Sequence, residues 1–329
     1  MHDWLYGERG YYTQYKEIGK AGDFYTSVSA SKFFGGTIAK HIISVIDEGF
    51  LPKETTICEI GAHKGYLLAD IVQFIYTLRP ELLQSLSFAI VERFDFLQEE
   101  QKRYFEQSFG DAVRLKQVKS LSELQLKSAF FVANEIFDAF SCELFYKGKI
   151  GTLKEGKIVF EQEDAWVSEQ AEKYHKDRGE IARGYEAFAR EMSAAAQIFE
   201  FMTFDYGEMQ ARPDFSIRVY KEHEVFALFD ETINLNELFG TSDITYDVTF
   251  EHLKDAYTEV GVEMFSYKTQ ALAMVDMGLL ELLEILKEHG GEELYLHELE
   301  RAKQLILPSF LGERFKMMSF RKHFKKEKI

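Results

Sequence analysis

Within twenty residues the hydrophobic period of this chain changes from two to 3.6. The run "TTICEI", residues 55–60, is short and β-rich and stops at a glycine, while Leu67, Leu68, Ile71, Val72 and Ile75 behind it recur at helical spacing. That is a strand, a tight turn and a helix. The pattern returns with "LSFAIVE" at 86–92 followed by the helical "FLQEEQKRYF", then with "AVRLKQV" at 112–118 and "SAFFVANE" at 128–135. A helical "YEAFAREMSAAAQ" leads into a fifth strand, "FEFMTFDYG", which reaches Asp205. Strands alternating with helices predict an α/β chain with a doubly wound, mostly parallel sheet covered on both faces.

Elsewhere the rhythm differs. Turn signals at Lys147-Gly148 and Glu155-Gly156, flanked by short alternating runs, predict an antiparallel meander near 145–162. From Gly207 to about Phe250 the strand and helix periods weaken, as expected of an inserted α+β subdomain. Long amphipathic runs broken at Gly290-Gly291 follow. The expected organisation is therefore an N-terminal lid and first helix at 1–50 and a core at 51–207. An inserted substrate subdomain at 208–265 and C-terminal helices completing the core at 266–329 follow it.

Composition narrows the function. The 329 residues are 46% apolar and carry a formal net charge of -16. Such an acidic chain lacks the basic surface with which proteins grip nucleic-acid phosphates. The two cysteines, Cys58 and Cys142, read as reduced thiols. The amino terminus has no signal-peptide pattern and no stretch approaches a membrane span, so a cytoplasmic location is expected. The nine histidines show no paired metal-ligand spacing.

The turn after the first strand carries the chemistry. "CEIGAHKGY" is not a dinucleotide fingerprint, because His63 and Tyr66 stand where G-x-G-x-x-G starting at Gly61 needs glycine, and not a P-loop, because Gly65 is followed by Tyr66 and Leu67. It fits E-x-G-x-x-x-G and resembles the S-adenosyl-L-methionine loop of class I (Rossmann-like) methyltransferases. Such a loop needs close backbone approach at Gly61 and a tight helix entry at Gly65, and tolerates a side chain between them that points away. Glu92 closes the second strand, where an acid can accept both ribose hydroxyls of a nucleoside.

Further segments, "GYYTQYKEIGKAGDFYTS", "VANEIFDAF", "FDYGE" and "LPSFLGERFKMMSF", stand in the order of the signature blocks of the MidA family, which the chain resembles from about Gly10 to Phe320. These are S-adenosyl-L-methionine-dependent methyltransferases whose mitochondrial member assists respiratory complex assembly by methylating an arginine of one subunit. The family's G-D-F-x-T block falls on Gly22, Asp23, Phe24 and Thr26, its cofactor loop on Glu59, Gly61 and Gly65, its N-E-x-x-D-A block on Asn134, Glu135, Asp138 and Ala139, and its D-Y-G block on Asp205, Tyr206 and Gly207. Two positions depart: His63 replaces the middle loop glycine, and Ser141 stands where the family usually has proline.

The resemblance implies S-adenosyl-L-methionine as cofactor, bound by Glu59, Gly61, Gly65, Glu92 and Asn134 under a lid carrying Asp23, Phe24 and Thr26. It implies a protein substrate, such as a respiratory-complex subunit, and the chain itself a monomer or homodimer. An arginine acceptor stays protonated and needs carboxylates to fix its guanidinium plane. Glu135 is the first candidate and Asp138 the second, with a helix-capping role as the alternative for both. A fold that has kept its shape as an assembly factor but lost methyl transfer is the alternative for the whole chain.

Overall fold

A computed structural model describes residues 1–13, 26–221 and 224–324. In chain order the elements begin with α1 (His2–Tyr6), α2 (Ser27–Ala30), α3 (Phe33–Asp47), β1 (Thr56–Ile60), α4 (Tyr66–Leu78), β2 (Ser87–Val91), α5 (Asp95–Phe109), β3 (Leu115–Val118) and β4 (Leu126–Asn134). Next come β5 (Cys142–Tyr146), β6 (Lys149–Lys154), β7 (Lys157–Gln162), α6 (Ala165–Lys173), β8 (Arg178–Ala182), α7 (Tyr185–Ala195) and β9 (Ala196–Glu208). The remainder is β10 (Arg218–Lys221), β11 (Glu224–Ala227), α8 (Leu235–Leu238), β12 (Asp243–Thr245), β13 (Val248–Thr249), α9 (Phe250–Glu259), β14 (Glu263–Thr269), α10 (Gln270–Asp276), α11 (Leu279–His289), α12 (Glu292–Ile306) and β15 (Phe315–Lys322). No helix among the described residues is long and apolar enough to cross a membrane.

The elements gather into two compact units, each assembled from three stretches of chain. One is Thr26–Asn134, Ala189–Asp205 and Tyr257–Ile329; the other is Met1–Tyr25, Glu135–Phe188 and Tyr206–Ala256. This differs from the expected division. Residues 1–13 belong with the second unit, because Trp4 Nε1 donates to the Ser242 carbonyl at 2.9 Å and the Tyr12 hydroxyl to Asp243 Oδ2 at 2.9 Å. The meander belongs there too, because β5 to β8 pair with one another and not with the main sheet.

The first unit holds the main sheet, in the order β14-β15-β9-β4-β1-β2-β3. β1 lies parallel to β2 and β4, β2 to β3, and β4 to β9, while β14 and β15 run antiparallel to each other at one edge. Strands buried on both faces read as near-continuous apolar runs, and "AFFVA" in β4 is fully buried. The helices that cover them contribute Phe34, Ile38 and Ile42 from α3 and Leu67, Leu68 and Ile71 from α4, all at most 1% exposed. This is a class I, Rossmann-like sheet, and its strands grow outward in both directions from the β1/β4 pair. Ligands in such sheets bind beyond the carboxyl ends of the strands at that reversal.

The second unit holds a sheet in the order β7-β6-β5-β8 and another in the order β11-β10-β12. The meander turns are as expected: Lys147 and Gly148 have φ of 50° and 80°, and Glu155 and Gly156 have φ of 50° and 79°, the paired positive φ of two-residue hairpins. Glu180 on β8 ties the segment before β10 in place, accepting the Ser216 and Ile217 amides at 2.9 Å each and the Ser216 hydroxyl at 3.0 Å.

Candidate active site

At the exit of β1, Gly61 and Gly65 have φ of 68° and 78°, left-handed values that a Cβ disfavours. The Gly61 N–H donates to the Val91 carbonyl at 3.0 Å and the Gly65 N–H to the Ala62 carbonyl at 2.7 Å, closing the turn. Glu59 does not reach out of the sheet. It is 4% exposed, and its Oε2 accepts the Leu68 N–H at 2.9 Å, an otherwise unpaired amide in the first turn of α4. Burial pushes its carboxyl up to about 8, against the pull of that amide. Its contribution to the loop is to hold the start of the helix.

His63 adopts the left-handed conformation that the missing glycine would have taken, with φ of 47°. Histidine is among the few residues enriched there. Burial, and after it the Lys64 charge, push its imidazole down to about 4, so it is neutral at pH 7. Its carbonyl accepts Gln101 Nε2 at 2.7 Å, and Gln101 Oε1 in turn accepts Gln117 Nε2 at 2.8 Å. Gln117 Nε2 also donates to the Gln98 carbonyl at 2.8 Å, and Gln98 Nε2 to the Glu92 carbonyl at 2.5 Å. Three glutamines on α5 and β3 thus brace both the glycine turn and the end of β2. The sequence reading missed them. The signal was a polar residue at a core position, since Leu97, Gln101 and Phe105 are the buried residues of α5 and follow one another at intervals of four.

Glu92 stands directly after β2, 6% exposed, with Oε1 accepting the Phe94 N–H at 3.1 Å. Burial raises its carboxyl above the usual range. Across the strand ends, Ile60 pairs with Ala133, so Gly61 and the half-buried Asn134 come level at the reversal of strand order. Gly61 exposes bare backbone there. A side-chain-free approach at β1 and an acid at β2 fit the carboxylate and the ribose of a nucleoside-bearing ligand. Thr26 instead caps α2, accepting the Ser29 N–H at 3.3 Å. Asp23 and Phe24 lie outside the described residues.

In the second unit, Glu135 is the first residue after β4 and takes φ of 54°. No helix follows it; the chain turns and enters β5. The helix-capping alternative for Glu135 and Asp138 therefore does not apply. Asp138 is 5% exposed, and its Oδ2 accepts the Tyr206 hydroxyl at 2.8 Å. That hydroxyl is also bonded to Thr245 Oγ1. Burial pushes the Asp138 carboxyl up to about 6, with the Tyr206 hydroxyl pulling it back. Gly207, next to Tyr206, is required because a Cβ on it would lie 2.1 Å from the Val248 carbonyl oxygen.

The strand order and the glycine turn after β1 define a class I S-adenosyl-L-methionine-dependent methyltransferase. A family described as "Putative S-adenosyl-L-methionine-dependent methyltransferase" matches residues 37–268. The chain belongs to that family, and it is MidA-like, as its signature blocks implied. Among curated relatives, the mitochondrial protein arginine methyltransferase NDUFAF7 of Homo sapiens is 24% identical over 356 residues, spanning 96% of this chain and 77% of the human one. That of Rattus norvegicus is 22% identical over 353 residues, spanning 96% and 78%. A COG1565 superfamily protein from Burkholderia thailandensis, solved with S-adenosyl-homocysteine bound, superposes with a TM-score of 0.81 at 22% identity, over 99% of this chain and 87% of that one. S-adenosyl-L-methionine is the cofactor.

Proposed function

We propose that the chain methylates an arginine side chain of a partner protein, with Glu135 and Asp138 holding the guanidinium. The observation that carries this reading is the buried Asp138 carboxylate, fixed by the Tyr206 hydroxyl at 2.8 Å and followed in chain order from Glu135 by only two intervening residues. The names of the curated relatives support it.

When bound, S-adenosyl-L-methionine supplies a methyl group on a positively charged sulfur. Gly61, Gly65, Glu92 and Asn134 would hold it beyond the ends of β1, β2 and β4. Two carboxylates can accept N–H bonds from two guanidinium nitrogens, fix its plane and leave the third nitrogen free for transfer. A carboxyl at about 6 is mostly ionised at pH 7 and can take the proton that the methylated nitrogen gives up. Correct placement with water excluded supplies most of the rate.

The test is transfer of labelled methyl groups from S-adenosyl-L-methionine to proteins that co-purify with the chain, respiratory-complex subunits first, with the modified residue identified by mass spectrometry. Methylarginine that depends on Glu135 is the expected product. Label on lysine or on a small molecule overturns the arginine reading.

A further inference from the structure

We propose that Gln101 is a positioning residue for the cofactor loop, and that its hydrogen bond is what allows a histidine to stand at position 63. The turn from Gly61 to Gly65 has three residues with positive φ, and His63 alone among them carries a side chain. A non-glycine residue in that conformation persists where its surroundings over-determine it. Here the surroundings are identifiable. Gln101 is fully buried and donates from Nε2 to the His63 carbonyl at 2.7 Å.

The orientation of the Gln101 amide follows from its other partner. Its oxygen is occupied by Gln117 Nε2 at 2.8 Å, and the same Gln117 nitrogen is anchored on the Gln98 carbonyl. The Gln101 nitrogen therefore faces the loop. The stem of Gln101 meets the loop a second time, because a Cβ on Gly65 would lie 3.4 Å from Gln101 Cγ. One side chain thus fixes the peptide after His63 and closes the space behind Gly65, the two places that set how the Gly61–Gly65 backbone meets its ligand.

Removing the amide leaves the His63 carbonyl without its donor, and the strained peptide is free to rotate. With glycine at 63 the same conformation carries no side-chain strain, so the loop depends less on the brace. The two residues are then energetically coupled, which a double-mutant cycle measures.

The experiment is calorimetric titration of S-adenosyl-homocysteine into the wild type, Gln101→Leu, His63→Gly and the double variant, with a ligand-free thermal melt of each. Gln101→Leu should weaken binding about tenfold while the protein stays folded. The same substitution on the His63→Gly background should cost at least threefold less. Unchanged affinity in Gln101→Leu overturns the proposal. So does an equal loss on both backgrounds, which would assign Gln101 to general packing. If Gln101→Leu does not fold, Gln101→Met replaces it; it keeps the length of the side chain and offers the His63 carbonyl no donor, and the same two outcomes decide.

Discussion

The Tyr206 hydroxyl donates to Asp138 Oδ2 at 2.8 Å, and both residues are at most 6% exposed. The oriented hydroxyl holds the buried carboxylate in a fixed geometry. Asp138→Asn preserves shape but removes the charge, and a hydrogen bond to a charged group is worth about 1.5–3 kcal/mol. Methyl transfer to the protein acceptor should fall roughly tenfold to a hundredfold, with S-adenosyl-homocysteine affinity nearly unchanged. Tyr206→Phe should fall between the two. Full transfer by Asp138→Asn would remove it from the mechanism.

On the proposed mechanism the same carboxyl should give the rate an acid limb, because the ionised form that would hold the guanidinium is lost as pH falls through about 6. A plot of kcat/KM should be level above pH 7 and drop about tenfold per unit well below 6. The check is a profile from pH 5 to 8, with cofactor affinity measured at each point. A rate that stays level to pH 5 contradicts the assignment.

Glu59 sets a pH dependence of stability of its own. Its folded-state carboxyl is raised from 4.5 to about 8, so between these values the folded chain keeps a proton that the unfolded chain has released. Stability therefore falls as pH rises across that window. Glu59→Gln still accepts the Leu68 N–H and cannot ionise. In urea unfolding it should match the wild type near pH 4 and exceed it at pH 9. A constant difference at both pH values would mean that Glu59 does not titrate in this range.

Two glycines should rank by what a methyl group would meet. At Gly65, with φ of 78°, an added Cβ lies 3.3 Å from Phe105 and 3.4 Å from Gln101 and Ile90, so Gly65→Ala should cost about 1–3 kcal/mol, mostly backbone strain. At Gly207 the Cβ would overlap the Val248 backbone at 2.1 Å, and β13 would have to leave β9. Gly207→Ala should therefore be the more damaging by urea midpoint or soluble yield, and the reverse order would contradict these contacts.

What could be read from sequence was what is written in local period. β1, β2 and β4 and the helices α4, α5 and α7 follow from short apolar runs, a glycine and helical spacing. β14 and β15 were missed, because "EMFSYKT" and "FKMMSFRK" are edge-side strands without strict alternation, lying among amphipathic helices. The second unit was misdrawn for a different reason. Its clasps, such as Glu180 with Ser216 thirty-six residues on, are long-range and leave no local pattern. Glu59 was legible as a motif residue but not as a helix brace, since its partner Leu68 is nine residues away across a turn.

The chain passes between its two units five times, at 25/26, 134/135, 188/189, 205/206 and 256/257. During synthesis this imposes a waiting time. β4 pairs with β9 in a register that joins Leu126 to Ala196, so the edge of β4 waits 70 residues (196 − 126) for its neighbour to leave the ribosome. At about 5–20 residues per second that is roughly 4–14 s. An apolar strand edge left open for that long is a template for wrong pairing. Shielding the nascent chain in that interval should therefore raise the yield of soluble protein, and neither unit can be obtained by cutting the chain at one point.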